Sequence, residues 1–341
     1  MTLQSFTFCY YGDDNMVTLK DIATKCNVSV ATVSRALNGQ SASTGATTKR
    51  ILQTAREMGY FPNAAARALK TNRSYNIGIL YEDEIHHEYF SLMIDKIKMA
   101  AESKGYDITF LCKSKTTSYY EHARYRGLDG VVLLQADFSS PEVLQLAKGD
   151  LPCVAINHTY DFCSCVLSDN QDSVITLVRH AAECGHRKIA FVHGQLKGYA
   201  TLERLKGFRK ACRELLLEVP DTYLVPAAYH DPQAAANATR MLMSLDDKPT
   251  CILYPDDYSC LGAIIELEKM GLSIPGDIAI IGYDGIMLSS VLRPKLTTYR
   301  QNVIEMGLAA VNLLTDIIEN GKNSSIRHVM IPGTLQQGGT V

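Results

Sequence analysis

Nine basic side chains lie between Met16 and Arg73 (Lys20, Lys25, Arg35, Lys49, Arg50, Arg56, Arg67, Lys70 and Arg73), opposed only by Asp21 and Glu57, a balance of +7. A surface charged in this way binds polyanions. The total hides it: over 341 residues the net charge is -2, because residues 74–341 carry 25 basic and 32 acidic groups. The basic stretch also has what a helix-turn-helix needs: a small residue where the helices touch (Ala23), a tight corner (Asn27-Val28) and an apolar anchor in the second helix (Val33). In such a motif the second helix lies in the major groove of DNA, its first turn toward base edges and its hydroxyls toward phosphates. A small helical bundle with no DNA partner is the alternative, and the concentration of positive charge argues against it.

Other chemistries find little support. His86-His87-Glu88 has Ser91 where a zinc hydrolase helix would need a further His. The ten cysteines form no C-x-x-C pair and have no His partner at zinc spacing. Cys112, Cys153, Cys184, Cys212 and Cys251 sit among apolar neighbours, as core hydrophobes do, and a reducing cytoplasm is expected. No G-x-G-x-x-G, Walker loop or G-x-S-x-G elbow occurs, so neither an enzyme nor a cofactor is expected. Residues 1–15 lack the basic start and apolar run of a signal peptide, and are expected to be a disordered leader or the product of a start assigned upstream of Met16. Nothing reaches the ~20 apolar residues that span a bilayer, and no membrane partner is expected.

Two kinds of element must position these residues. Residues 18–70 read as short helices: LKDIATKC after a Thr18 cap, VATVSRALN after a Ser29 cap, ending at Asn38-Gly39, and KRILQTAREMGY after the polar GQSASTGATT. The Ala-rich AAARALK that follows Pro62-Asn63 has helical propensity but almost no apolar surface, so it is only marginally helical alone. From Asn76 on, apolar runs alternate with amphipathic helices; the runs are IGILY (77–81), ITFLC (108–112), GVVLLQ (130–135), CVAIN (153–157), KIAFVHG (188–194), CILYP (251–255) and IAIIGYD (278–284). Continuous apolar strands alternating with helices predict parallel sheets covered on both faces, and the length predicts two of them.

MVTLKDIATKCNVSVATVSRALNG (16–39), PNAAARAL (62–69) and, further on, SDNQDSV (168–174), ECGHRKIAFVHG (183–194), RLKGF (204–208), DDYSCLGAI (256–264), IPGDIAIIGYD (274–284) and LTTYRQN (296–302) carry a resemblance along nearly the whole chain. The sequence resembles the lactose-repressor (LacI/GalR) family of bacterial transcription regulators. The resemblance implies an all-α helix-turn-helix head on an α/β body like a periplasmic binding protein, with two doubly wound parallel-sheet subdomains. The expected boundaries are 1–15 for the leader, 16–61 for the head, 62–73 for a hinge helix and linker, and 74–341 for the effector-binding and dimerisation domain. Within that domain one subdomain spans about 74–168 plus 299–324, and the other about 169–298 plus 325–341.

For the head, the resemblance implies base reading by Val30, Ala31 and Arg35, phosphate contact by Ser29, Thr32, Ser34 and Asn38, Thr18 as a further DNA-binding residue, and a hinge helix, Asn63 to Lys70, that orders on the operator and wedges Leu69 into the minor groove, with Asn63 and Arg67 as DNA-binding residues too. Val30 could instead belong to the helical core. The family enters its third helix through Val-Ser and Thr-Arg pairs; this chain has Ser43-Thr44 and Thr47-Thr48, so a phosphate-contacting Arg is missing.

For the body, the resemblance implies a sugar-like effector held by Arg204, Asp256 with Asp257, and Asp284, with Asn157, Tyr229, Asp83 and Phe90 as further candidates and Glu82 and Tyr89 near them. Carboxylates and guanidinium bridge neighbouring hydroxyls well. Arg204, Asp256 and Asp284 could instead form surface or inter-subdomain ion pairs. The partners implied are double-stranded operator DNA, a small effector and a second copy of the chain; without a C-terminal heptad segment, a dimer rather than a tetramer is expected. A family member answering to a non-sugar ligand or a phosphorylated protein, or a sugar-binding protein or enzyme on the same fold, are the alternatives.

Overall fold

The computed structural model describes residues 17–37, 45–60, 68, 71–82, 87–112, 117–321 and 325–341. The chain divides into two compact units, Met1–Ser74 and Tyr75–Val341, called head and body below.

The head contains α1 (Leu19–Cys26), α2 (Val30–Leu37) and α3 (Gly45–Glu57). Thr18 starts α1 through a reciprocal box: Asp21 N donates to Thr18 Oγ1 at 3.4 Å, and Thr18 N donates to Asp21 Oδ2 at 2.8 Å. Asn27, left-handed at φ 46, ends it, and Val28 N donates back to Ala23 O. Arg50 on α3 donates to Cys26 O at 2.9 Å, so a basic side chain closes the C-terminus of α1. Ile22, Ala23, Cys26, Val33, Ala36, Ile51 and Ala55 make the core. The third helix begins four residues earlier than its apolar periodicity predicts, because a first helical turn needs no apolar face. It ends earlier too: Gly59 at φ +68, with Tyr60 N donating to Ala55 O and Gly59 N to Arg56 O, closes a Schellman turn before Tyr60.

The body is built on two six-stranded sheets. Its strands are β1 (Asn76–Tyr81), β2 (Asp107–Leu111), β3 (Gly130–Gln135), β4 (Cys153–Ile156), β5 (Ser164–Ser168), β6 (Ile189–His193), β7 (Leu224–Pro226), β8 (Cys251–Leu253), β9 (Ala279–Asp284), β10 (Thr297–Arg300), β11 (His328–Ile331) and β12 (Thr334–Gln336). The first sheet has the order β11-β5-β4-β3-β1-β2 and is parallel throughout, with Ile77 opposite both Ile108 and Gly130. The second has the order β12-β10-β9-β8-β6-β7, parallel except for β12. Helices cover the sheets: α4 (Glu88–Ser103), α5 (Tyr119–Tyr125), α6 (Pro141–Lys148), α7 (Asn170–Glu183), α8 (Tyr199–Glu214), α9 (Pro232–Met243), α10 (Ser259–Lys269), α11 (Met287–Val291) and α12 (Val303–Asn320). Each sheet has a buried cluster on either face, as two-sided burial of parallel strands requires.

The chain passes between sheets after β5, after β10 and between β11 and β12. The last two crossings differ from the expected ones. β10 completes the second sheet through Arg300, and residues 325–331 stay with the first sheet because β11 pairs with β5, Val329 opposite Val166. As a half-exposed edge strand, β11 lacks the apolar run that marks a buried one. Asp169 ties the crossings together, accepting from Tyr299 Oη at 2.5 Å and from Gly333 N at 3.4 Å. Cys153, Cys212 and Cys251 are buried as expected, whereas Cys112, just after the edge strand β2, and Cys184, the C-cap of α7, are exposed. No described helix is long and apolar enough to cross a membrane.

Candidate DNA-reading helix and ligand cavity

In the head, Val33 and Ala36 turn α2 toward the core, which leaves Val30, Ala31 and Arg35 on the outside. Val30 is 45% exposed although it is apolar, so it is not a core residue. Ser29 Oγ accepts from Thr32 N at 3.1 Å and lies 2.8 Å from Thr32 Oγ1, fixing the first turn of α2. Arg35 Nε donates to Ala31 O at 3.3 Å, which runs the guanidinium along the exposed face toward the helix N-terminus. The exposed side of the first two turns is thus two small apolar groups and one fork of donors, suited to a thymine methyl and a guanine edge.

In the body, the carboxyl ends of both sheets open on a cavity of about 700 Å³. Gln135 ends β3, Asn157 follows β4, Asp284 ends β9 and Gln301 follows β10, and all four line it. Ligands bind parallel-sheet proteins at such strand ends. Arg204, on α8, is 5% exposed and held from two sides: Nε donates to Asn170 Oδ1 at 2.9 Å and Nη1 to Pro255 O at 3.0 Å. Its guanidinium carbon lies 3.5 Å from the Tyr283 ring centroid, a cation–π contact. Asp284 has φ 101, a strained backbone for a residue with a side chain, and Gln301 Nε2 donates to its Oδ1 at 2.6 Å. Burial raises the Asp284 carboxyl to about 6, against the pull of Arg204 and His230.

The walls are aromatic. Tyr229 stands beside Gly194, where a Cβ would come within 2.1 Å of its ring, and its hydroxyl is 2.9 Å from Thr201 Oγ1. Phe90 packs edge-on against Tyr89 and His230. Phe138 and His158 stack in parallel, centroids 4.3 Å apart, and burial lowers His158 to about 4, so its imidazole is neutral at pH 7.

Residues 18–63 match the model of the bacterial regulatory proteins of the lacI family, and residues 178–341 match that of a periplasmic binding protein-like domain. The head thus carries a lacI-family domain, and the body a periplasmic binding protein-like one. An HTH-type transcriptional repressor PurR from Salmonella arizonae is 29% identical over 318 residues, 91% of this chain and 93% of that protein. Two solved structures share the fold: the Lac repressor bound to ONPG in the repressed state, at TM-score 0.80, 21% identity and 96% and 100% coverage of this chain and that one, and a transcriptional regulator CelR–cellobiose complex, at 0.71, 23%, 95% and 100%. These relatives are named as transcriptional repressors or regulators, none as an enzyme.

Of the candidates read from the sequence, Arg204, Asp284, Asn157, Tyr229, Phe90 and Tyr89 line one cavity in the body. Asn157 is committed within the fold: Oδ1 accepts from Ser168 N at 2.8 Å and Nδ2 donates to Tyr89 Oη at 3.0 Å, so it positions Tyr89. Asp256 does not line the cavity. It is fully buried and accepts from Ser259 N at 2.7 Å, Ser259 Oγ at 2.9 Å and His230 N at 2.8 Å, holding the loop that carries Tyr229 and His230 against the start of α10. Burial favours its neutral form, but the hydrogen bonds and the His230 charge outweigh that and keep the carboxyl below its usual range. Asp257 likewise accepts from Thr298 Oγ1 and Ile286 N, and Glu82 from Tyr119 Oη and Asp137 N; both are braces. In the head, Thr18 caps α1, while Ser34 lies half-buried on α2. Asn38, Asn63, Arg67, Leu69 and Asp83 lie outside the described residues. Phe138, His158, Thr201, His230 and Gln301 also line the cavity without having been singled out in the sequence. For His158 and Gln301 a signal existed, since each follows a strand directly or nearly so; nothing local marked the others.

Proposed function

We propose that this chain is a transcriptional repressor that binds a pseudo-palindromic operator as a homodimer and is switched by a small sugar-like effector in the body cavity. The observation that carries the reading is Arg204. A buried guanidinium with two of its nitrogens fixed by the fold and an aromatic face beneath it keeps further donors for a cavity it shares with Asp284. Together they offer donors and acceptors to neighbouring hydroxyls, and Tyr229 and Phe90 offer apolar surface to a sugar ring. CelR with cellobiose and the Lac repressor with ONPG are sugar complexes on the same fold, which supports the class. A second copy doubles the base and phosphate contacts, so a dimer suits the specificity an operator requires.

One observation favours a second class. The parallel Phe138–His158 pair is a flat platform, and a heteroaromatic ligand such as a nucleobase would extend the stack. Selecting operator sequences from random DNA, then measuring operator binding by fluorescence anisotropy while adding mono- and disaccharides or nucleobases, separates the two. A sugar that shifts operator affinity supports the first class; a shift with nucleobases alone replaces it with the second.

A further inference from the structure

His87 precedes α4 as its N-cap, on the side of the first sheet, but its buried imidazole makes no capping hydrogen bond. Instead it lies on His230, which belongs to the second sheet's side, with ring centroids 3.6 Å apart and planes tilted by 39°. His230 Nδ1 is 3.6 Å from Asp256 Oδ1, an ion-pair distance rather than a hydrogen bond. One ligand atom from each of His87, His230 and Asp256 can be chosen so that all lie within 4.8 Å of one another, which no other trio of such side chains among the described residues achieves. Sequence spacing could not show this set, because His87 has no His one turn on along α4 and finds its partners on two distant loops.

We propose that His87, His230 and Asp256 form a binding site for a divalent transition-metal ion of the zinc class, joining the two halves of the body. Two imidazole nitrogens and one carboxylate oxygen are a ligand set for zinc, cobalt or nickel, and three protein ligands leave a coordination position open. Bonds of about 2.0–2.2 Å place tetrahedral ligand atoms roughly 3.3 Å apart, so atoms now within 4.8 Å of one another must draw in by up to about 1.5 Å when the ion binds. Asp256 is already oriented: Ser259 N, Ser259 Oγ and His230 N all donate to it, as outer hydrogen bonds do for a ligating carboxylate. Because His87 sits on one subdomain and the other two on its neighbour, a bound ion clamps the halves together. His230 also lines the ligand cavity, so the ion alters the cavity's wall.

The test uses the full chain, stripped with a chelator and titrated with zinc chloride by calorimetry and with cobalt chloride by absorption spectroscopy. Neither probe depends on the identity of the effector or on DNA, so this result and the repressor reading succeed or fail separately. One equivalent of zinc is expected to bind, and His87→Ala and His230→Ala are each expected to weaken it at least tenfold, with loss of the visible cobalt bands. Both variants should keep a cooperative thermal transition in metal-free buffer; if either does not, His87→Gln and His230→Gln replace them. Nine free cysteines among the described residues compete for such ions. Equal zinc affinity in wild type and variants, a cobalt spectrum dominated by thiolate charge transfer, or no binding would each overturn the site and leave the pair as stacked packing.

Discussion

Asp284 and Arg35 illustrate how a single residue discloses its work by what the fold does with it. Asp284 is buried among Arg204, His230, Asp256, Asp257, Tyr89 and Tyr283, and its carboxyl stands at about 6 instead of 3.8. A carboxyl that holds its proton more tightly folded than unfolded favours the folded state at low pH. That advantage is lost as pH rises from the unfolded value of 3.8 through about 6, and above this the charge is a net cost of at most roughly 3 kcal/mol. Asp284→Asn is therefore expected to raise the melting temperature of the ligand-free protein at pH 7.5, to lose that advantage near pH 4, and to abolish the effector response. A variant no more stable than wild type at pH 7.5 would refute this account of the residue. For Arg35, exposed on α2, replacement by Ala should remove roughly 1–3 kcal/mol of preference for the selected operator while salt-dependent binding to arbitrary DNA persists. Unchanged sequence preference in the anisotropy assay would mean that α2 does not read the bases.

At the scale of elements, caps and close approaches set the geometry of both sites. Thr18→Ala breaks the box that starts α1 and is expected to cost about 1 kcal/mol, seen as a lower melting temperature of the head. Gly194→Ala puts a methyl group into the Tyr229 ring, so it should displace that wall and weaken effector binding while β6 still forms; unchanged effector affinity would show that Tyr229 is not part of the contact. These elements were legible to different degrees. The long apolar runs 77–81, 130–135 and 278–284 became β1, β3 and β9 because strands buried on both faces have no polar interruptions. Short or edge strands such as β7, β11 and β12 carry too few buried residues to stand out, which is why the last crossing was misplaced. In the cavity, Arg204 and Asp284 were legible because their motifs fix a helix face and a strand end. Asp256 was misread because no pattern tells whether a carboxylate before a helix points to a ligand or turns back to cap it. His230 went unnoticed because its partner, His87, is remote in the chain.

The whole molecule combines a +7 stretch with a body of opposite balance, so phosphates attract the head and repel the rest. Sedimentation is expected to give a dimer, and a stable tetramer would contradict it. The slope of log affinity against log salt should follow the phosphate contacts of two heads and fall by about one for each contacting Lys removed per dimer site. The central claim is that the body cavity holding Arg204 governs what the head does on DNA. Operator binding measured by anisotropy, with and without the effector found in the ligand screen, in wild type and in Arg204→Ala, tests it most directly. The account predicts equal operator affinity for both proteins without effector, and an effector-dependent change that wild type shows and the variant lacks. Equal responses to effector in the two proteins, or operator binding weakened by Arg204→Ala without effector, would contradict it.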